Sequence, residues 1–583
     1  MAVTTPASPR VAATPMGVRP VRRPRSRSGG ALVAALVAAC AYAVFAHGAS
    51  GLPEEPRLQI GLALVAVLAS VGWLFSGTLR PRAPLVAWVG VGLLAAFAVW
   101  CGVTLLWSVA PDRTWGYINR SVAYTLVVVL AIAAASSAPR VIERIAYGWL
   151  AVALACALYA LAGKVMPGAQ ILGVGFNHTA VASRLRAPLE YWNALALVMV
   201  LAVPIALRLA TDDARRERTR LFGITALYVL LLILGMTYSR GGLVAFAVGL
   251  VVVTVLGREK LRGLAVVGVT VVATIPVLAL AFSRPALKAI NVPLAQRTPD
   301  GIVLGLVLAG SIVGLLIAGW GLLHLEERTR WSDENTQLVW RGLAATAAVV
   351  AIFALGGIAT AKGGPSGFAH KAWHEFSKTS KDDVSNPARI ISSNSGNRWV
   401  WWEEAAGAWW AKPLGGWGAG SFPVTHKLYR QVELGVAQPH NVPLQFLAEE
   451  GLIGALIVMG GVALLFYAAL DRVRRMAPGR EREIAVALFA GAVAWLVHGL
   501  VDWDWDIPGV TLPALLFLGV LAGVRGPAAA GAADVRPERS VAARSLALGL
   551  ACIALALSVV SAGLPLIADS KASTALAVSN NAG

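Results

Sequence analysis

Charged side chains are scarce in this chain. Asp, Glu, Lys and Arg make up 14% of its 583 residues, against roughly 25% in soluble domains. That supply is too small to clothe a globule of this size in water, which excludes an ordinary soluble fold. Cysteine is rarer still, with four residues at 40, 101, 156 and 552. Each stands inside an apolar run without metal-type spacing, which argues against a disulfide framework or a zinc site and leaves small core- or lipid-facing side chains. Acidic residues are outnumbered, 31 against 50 basic, for a net charge of +19. No basic stripe accompanies a nucleic-acid motif, so no nucleic-acid partner is expected. The excess fits cytoplasmic loops that flank membrane spans and face anionic lipid.

Hydrophobic residues, in contrast, reach 57% with a mean hydropathy of +0.68. They gather in runs near the ~20 residues that a helix needs to cross the hydrocarbon core. Such runs follow Gly30 (to His47), Arg57 (to Ser76), Arg82 (to Trp107), Arg120 and Arg140. Others are Ala194–Leu209, Leu221–Thr237, Gly242–Leu256, Leu264–Phe282, Gly301–Leu323 and Leu343–Thr360. Gly451–Leu470, Ile484–Leu500, Gly509–Val524 and Ser545–Ala562 complete the set. The expected fold is all-α: a polytopic integral membrane protein with about fifteen transmembrane helices and one large extracytoplasmic loop. Two of the runs, Ser121–Ser136 and Gly509–Val524, are at the short limit for a span. Residues 1–29 read as a disordered basic cytoplasmic tail, 30–360 as N-terminal spans and 361–450 as the loop; 451–563 hold the last spans and 564–583 an outer tail. The run at 31–48 also has the make-up of a signal peptide, with Ala41-Tyr42-Ala43 as a small-residue site.

Lysine and arginine concentrate in Arg19–Arg27, Thr211–Arg220, Gly257–Gly263, Asp471–Arg482 and Arg525–Arg544. Alternation then predicts the N-terminus inside and the polar motifs on the extracytoplasmic face of the cytoplasmic membrane. On that face the long loop becomes dense in aromatics, with Arg398 heading Trp399-Val400-Trp401-Trp402, then Trp409-Trp410 and Trp417 in the turn Pro413–Phe422. Tryptophans anchor helices at the membrane interface; the same rings, Trp402 and Trp417 among them, also suit a groove for sugars. His440 stands at the mouth of the following span, with Asn441 suited to cap that helix and Pro443 to its first turn. Of eight histidines it alone sits in a dense polar motif at a helix entrance, and imidazole is the natural general base near neutral pH. Arg240, in the turn Thr237–Gly242 between two apolar runs, either snorkels to headgroups or meets an anion. Arg184, in the loop ending at Asn193, invites the same argument more weakly. The turn Asp502-Trp503-Asp504-Trp505-Asp506 reads as an interfacial turn paired with an arginine rather than a cation site.

Four of these pieces, in order, resemble the O-antigen ligase/polymerase superfamily of bacterial polytopic membrane proteins. They are Arg184 to Asn193, the Ser239-Arg240-Gly241 turn, Arg398 with its tryptophans followed by Pro413–Phe422, and His440-Asn441 with Leu444-Gln445, Glu449 and Gly451–Gly454. The last two carry most of the specificity. The resemblance covers roughly residues 90–520, with the helices near 257–360 set apart like an insertion. It implies an O-antigen ligase-like membrane glycosyltransferase of polysaccharide biosynthesis that needs no metal or other cofactor. The donor would be an undecaprenyl-pyrophosphate-linked glycan, the acceptor a hydroxyl on a lipid, glycan or wall polymer, and membrane lipids the surroundings. Arg240 and Arg398, with Arg184 third, would hold the pyrophosphate, because guanidinium groups bind phosphate bidentately. His440 would deprotonate the acceptor, giving inversion, and Asn193, Asn441, Glu449, Trp402 and Trp417 would line the substrate site, Glu449 by orienting His440 or the helix entrance. A repeat-unit polymerase uses the same donor chemistry and is the nearest rival. A glycolipid transporter is more remote, since charges avoid the span centres and the two halves lack a visible repeat.

Overall fold

The computed structural model describes residues 27–171, 174–176, 184–328, 364–379, 386–524 and 540–582, with single positions between 337 and 360. Residues 1–26 of the tail expected at 1–29, most of the span Leu343–Thr360 and the basic stretch 525–539 lie outside the described residues, while 27–29 open the first helix. Apart from one two-residue antiparallel pairing, Gln170 opposite Gly175 and Ile171 opposite Val174, the regular elements are helical. They are α1 (Arg27–Phe45), α2 (Glu54–Ser76), α3 (Leu85–Thr104), α4 (Pro111–Ser137), α5 (Val141–Val165), α6 (Trp192–Thr211), α7 (Glu217–Met236), α8 (Arg240–Leu256) and α9 (Lys260–Ser283). Then come α10 (Pro285–Lys288), α11 (Leu294–Arg328), α12 (Gly364–Ser377), α13 (Arg398–Ala411), α14 (Phe422–Tyr429), α15 (Val442–Arg475), α16 (Arg480–His498), α17 (Pro508–Gly523) and α18 (Val541–Ala582).

Among the described residues eleven helices are long and apolar enough to cross a membrane, and α8 and α17 are shorter apolar helices. The short run at 509–524 has a physical reason. All of α17 is buried, as expected of a helix apolar on every side, so its length need not match a lipid thickness. The run after Arg120 is not short at all, because its helix starts at Pro111 and has 27 residues. Its polar first turns escaped an apolar count, yet Arg120 is neutralised inside the bundle by Glu55 at 2.7 Å and Asp506 at 2.7 Å. At the C-terminus α18 runs on through Pro565 to Ala582, across the boundary expected at 563.

The helices pack as a bundle in which α6 is almost wholly buried between α7 and α16, α17 lies along α4, and α15 lies along α3. Three of the five basic segments expected on one side, those at 211–220, 257–263 and 471–482, meet at one end. Arg480 pairs with Asp212, Arg262 with Asp213, and the Arg258 N–H donates to Glu483. The polar motifs gather at the opposite end. There α12, α13 and α14 form a small cap, in which Trp373 and Phe376 of α12 pack on Trp399 and Trp402 of α13.

The cap is joined to the bundle by a broken helix. Helix α15 begins at Val442, nine residues before the span expected from Gly451, with Asn441 as its N-cap and Pro443 in its first turn. It breaks at Gly451, whose φ of 68° and ψ of −174° suit only glycine. Backbone groups freed by a break inside an apolar bundle must find partners, and the glycine-rich turn supplies them. Leu452 N–H donates to the Pro413 carbonyl (2.8 Å) and Ile453 N–H to Leu414 (3.2 Å), while Gly418 N–H donates to the Glu449 carbonyl (2.8 Å). A Cβ on Gly451 would overlap the Leu414 carbonyl, and one on Gly416 the Glu449 carbonyl.

Gly451→Ala is therefore expected to lower stability by about 3 kcal/mol or more, seen as a lower melting temperature in detergent. Gly92→Ala, where a methyl would meet nothing within 4 Å, should leave that temperature unchanged or slightly raised.

Candidate functional site

Two connections build the site from the bundle outward. In the first, Arg184 reaches under the turn that opens α8: its Nε donates to the Thr237 carbonyl (2.7 Å), and its guanidinium lies 4.2 Å from the Trp192 ring centroid. Ser239 caps α8 by accepting from Gly242 N–H (3.1 Å), and the Arg240 guanidinium donates to the Ser392 carbonyl. In the second, Asp502 sits where the chain leaves α16. It accepts from Asn193 (2.5 Å), from the Tyr191 hydroxyl (2.7 Å) and from Arg398 (3.2 Å). Arg398 also donates to the carbonyls of Val501 (2.7 Å) and Ser395 (3.3 Å), so its planar fork is held in one orientation.

The space enclosed is a cavity of about 180 Å³. Arg184, Asn193, Arg240, Arg398 and His440, which the sequence singles out, all line it, together with Arg389, Tyr191 and Trp401. Four guanidinium groups thus face one small space, with Asp502 behind them as the bound carboxylate. Arg184 is 4% exposed; burial, then the repulsion of Arg389 and Arg398, pulls its pKa down to about 9. Burial alone would raise Asp502, but Arg398, His440 and His498 outweigh it and hold the carboxyl below its ordinary range. Among the described residues the cavity is short of negative charge, which an anionic ligand would supply.

His440 is partly buried and neutral here. Burial first, then Arg398, pushes its pKa down to about 4 against the pull of Asp502 and the Gln438 carbonyl. Its Nδ1 is 2.9 Å from that carbonyl. A carbonyl can only accept, so Nδ1 carries the proton and Nε2 keeps its lone pair. The ring stacks on Trp401 at 4.8 Å and 24°, and the Trp401 indole N–H is buried without a partner among the described residues. Three non-glycine residues around the cavity, Tyr238, Asn397 and His440, have left-handed φ values of 52°, 70° and 55°. Each such conformation costs about 1–3 kcal/mol, so the fold holds these side chains in place against a local penalty.

The other expected site residues are placed elsewhere. Asn441 spends its carbonyl oxygen capping Leu444 N–H (2.9 Å) and its amide on the Leu500 carbonyl (2.9 Å). Glu449 does not orient His440, whose Nδ1 is taken by Gln438; its carboxylate accepts from Gly420 and Phe422 N–H, both at 3.0 Å. Trp402 packs on Phe376 and Trp399 and donates to the His440 carbonyl (3.4 Å). Trp417 donates to the Ala408 carbonyl (2.8 Å) under Lys412, 4.0 Å from its ring. Neither ring lines the cavity. In the acidic-aromatic turn each carboxylate has its own basic partner: Arg398 for Asp502, the His498 ring for Asp504 (2.7 Å) and Arg120 for Asp506. Among the described residues no three His, Cys, Asp or Glu side chains are grouped to hold a metal ion. Arg389 was not singled out by sequence; the only local signal is its place nine residues before Arg398 in a Ser- and Asn-rich stretch.

Residues 300–459 match the family model described as O-antigen ligase, which supports the superfamily that the motifs resemble. The match takes in residues 300–360, which the motifs alone had set apart, and ends before Asp502. No curated protein matches the chain.

Removing the Asp502 carboxylate strands Arg398 and Asn193 in a positive cavity. Asp502→Ala should therefore cost about 3 kcal/mol or more, read as a lower melting temperature. His440 gives a pH signature. Its folded pKa lies below the unfolded value near 6.5, so below that pH the unfolded chain takes up a proton that the folded chain refuses. Stability present above pH 6.5 is then lost as pH falls toward about 4. His440→Gln should melt with a shallower decline across that window.

Proposed function

With the O-antigen ligase/polymerase superfamily supported by the match over 300–459, we propose that this chain transfers a glycan from undecaprenyl pyrophosphate to an acceptor hydroxyl at the outer face of the cytoplasmic membrane. The observation that carries the reading is the convergence of Arg184, Arg240, Arg389, Arg398 and a neutral His440 on one cavity. His440 Nε2 takes the acceptor proton as that oxygen bonds to the anomeric carbon. The bond from that carbon to the phosphate oxygen breaks, and its electron pair leaves with the pyrophosphate. Guanidinium groups already in place balance the charge that grows on the leaving oxygen, so little reorganisation accompanies the step. One displacement inverts the anomeric centre; among the described residues the cavity lining includes no carboxylate to act as a nucleophile for a two-step, retaining route. The arginines take the part that a divalent cation plays in many phosphoryl sites, which makes the reaction metal-independent.

The test uses purified full-length protein in detergent, with an undecaprenyl-pyrophosphate-linked oligosaccharide as donor, crude envelope glycan as acceptor and chelator throughout. His440→Ala should lose at least about a hundredfold in transfer rate while donor binding survives. Arg240→Ala and Arg398→Ala should each weaken donor binding by about 10- to 100-fold, with lysine restoring only part of it. Donor affinity unchanged in both arginine variants would sink the pyrophosphate assignment, and equal transfer by wild type and His440→Ala would remove the base. A ladder of products, rather than one step in size, would identify a polymerase.

A further inference from the structure

A second polar cavity, about 390 Å³, lies beside the first. Gln438 lines it, while His440, two residues on, lines the guanidinium cavity. Trp503 lines it too, with its ring 5.1 Å from Tyr191, which lines the other. The two spaces therefore share one thin wall, made of residues 438–440 and the Tyr191–Trp503 pair. One side of the second cavity is formed by Ala562 and Pro565 of α18, which is pinned to α4 by the Trp115 indole on the Ser561 carbonyl (2.9 Å) and by Ser561 on Asn119 (2.6 Å).

The two cavities differ in charge. Among the described residues four arginines and no carboxylate line the first. The second is lined by Glu55, Asp112, Glu449 and Asp506 against Arg113 and Arg120. Its floor is rigid: Arg120 grips Glu55 through two bonds of 2.7 and 2.8 Å, and Gln445 ties Asp506 (3.0 Å) to the Tyr117 hydroxyl (2.5 Å). Carboxylates that already hold one donor keep further lone pairs for hydroxyl groups, and even without the buried Glu449 the remaining three, Glu55, Asp112 and Asp506, outnumber the two arginines, which opposes a phosphate. The space is open as well as polar, because a Cβ added at Gly51 or Gly116, both on its wall, meets nothing within 4 Å.

We propose that this second cavity is the acceptor subsite, which takes an uncharged, hydroxyl-rich glycan end and presents one hydroxyl over the Gln438–His440 rim to His440 Nε2. The proposal rests on the glycosyl-transfer reading above. That hydroxyl loses its proton to Nε2 and bonds to the donor's anomeric carbon, while pyrophosphate departs into the guanidinium cavity. Separating the two sites by charge keeps a second pyrophosphate out of the acceptor's place, and this sets which end of each glycan reacts.

Two readouts on the full chain in detergent separate this proposal from the reading beneath it. Envelope glycolipids are fractionated into uncharged and phosphorylated pools, and each is tested for saturation-transfer NMR contact with the protein and as acceptor in the transfer assay. The expected result is contact and transfer from the uncharged pool. Gly116→Leu, which narrows the cavity at a position where an added Cβ meets nothing within 4 Å, should raise the half-saturating concentration of that pool at least about tenfold and leave donor binding unchanged. Gln438→Ala removes the side-chain amide and keeps the carbonyl that holds His440, so it reports the same shift independently should Gly116→Leu fold poorly. Uncharged-pool contact that Gly116→Leu abolishes, with no transfer by wild type, would sink the transferase reading and the acceptor role with it, leaving a glycan-binding cavity. Equal contact and kinetics in wild type and both variants, or preference for the phosphorylated pool, would overturn the subsite while transfer itself stands.

Discussion

Three aspartates spaced two residues apart, 502, 504 and 506, hold together the end of the bundle where the polar motifs gather. Each takes a different basic partner: Arg398 from the cap, the His498 ring from the helix just before the turn, and Arg120 from α4. Burying carboxyl groups is costly unless each finds a hydrogen-bonding partner or an opposite charge. The turn satisfies that condition three times over a short stretch, and so fixes three separate parts of the chain relative to one another. Asp502 matters most for the site, because it also ties Asn193 and Tyr191 to Arg398. Without a carboxylate behind them, guanidinium groups this close would repel one another and open the cavity.

The second constraint is backbone satisfaction. An apolar helix that breaks at Gly451 leaves N–H and C=O groups that neither lipid nor aliphatic side chains can bond. The turn Pro413–Gly418 bonds them, and the Glu449 carboxylate then closes the same turn through Gly420 and Phe422. A stretch of cap and a stretch of bundle thereby become one unit. His440 is placed at the entrance to that unit, two residues before α15, with Trp401 of α13 stacked on its ring.

Electrostatics follow from this framework. A histidine among arginines stays neutral because a further positive charge there is opposed by burial and by its neighbours. Neutrality is the state a proton acceptor needs, so the cationic surroundings that would hold an anionic donor also keep the base ready. The mixed-charge second cavity, across a wall two or three residues thick, offers hydrogen-bond acceptors where the first offers donors. Stiff ion-pair networks on both sides of the wall keep these two environments from merging.

Much of this was legible from residue order alone. Apolar runs determined that the chain is helical and membrane-embedded, because a polar backbone in hydrocarbon has few other solutions. Arg240 and, more weakly, Arg184 stood out as charges in turns near hydrocarbon, where a charge without a purpose is costly, and His440 as a polar residue at a helix entrance; the resemblance added Asn193 and the role of Arg398. Tertiary structure decided the rest. Helix α4 starts within a charged stretch since Glu55 and Asp506, 65 residues before and 386 residues after Arg120, neutralise it. Arg389 joins the cavity, and Trp401 rather than Trp402 faces it, because the short helices of the cap fold over the bundle. Glu449 and Asn441 look like ligands by residue type, but backbone groups left open by a helix break and a helix start claim them first. Apolar length and local turn chemistry are written along the chain. Which charge meets which depends on segments brought together from far apart in sequence, and only the packed bundle specifies that.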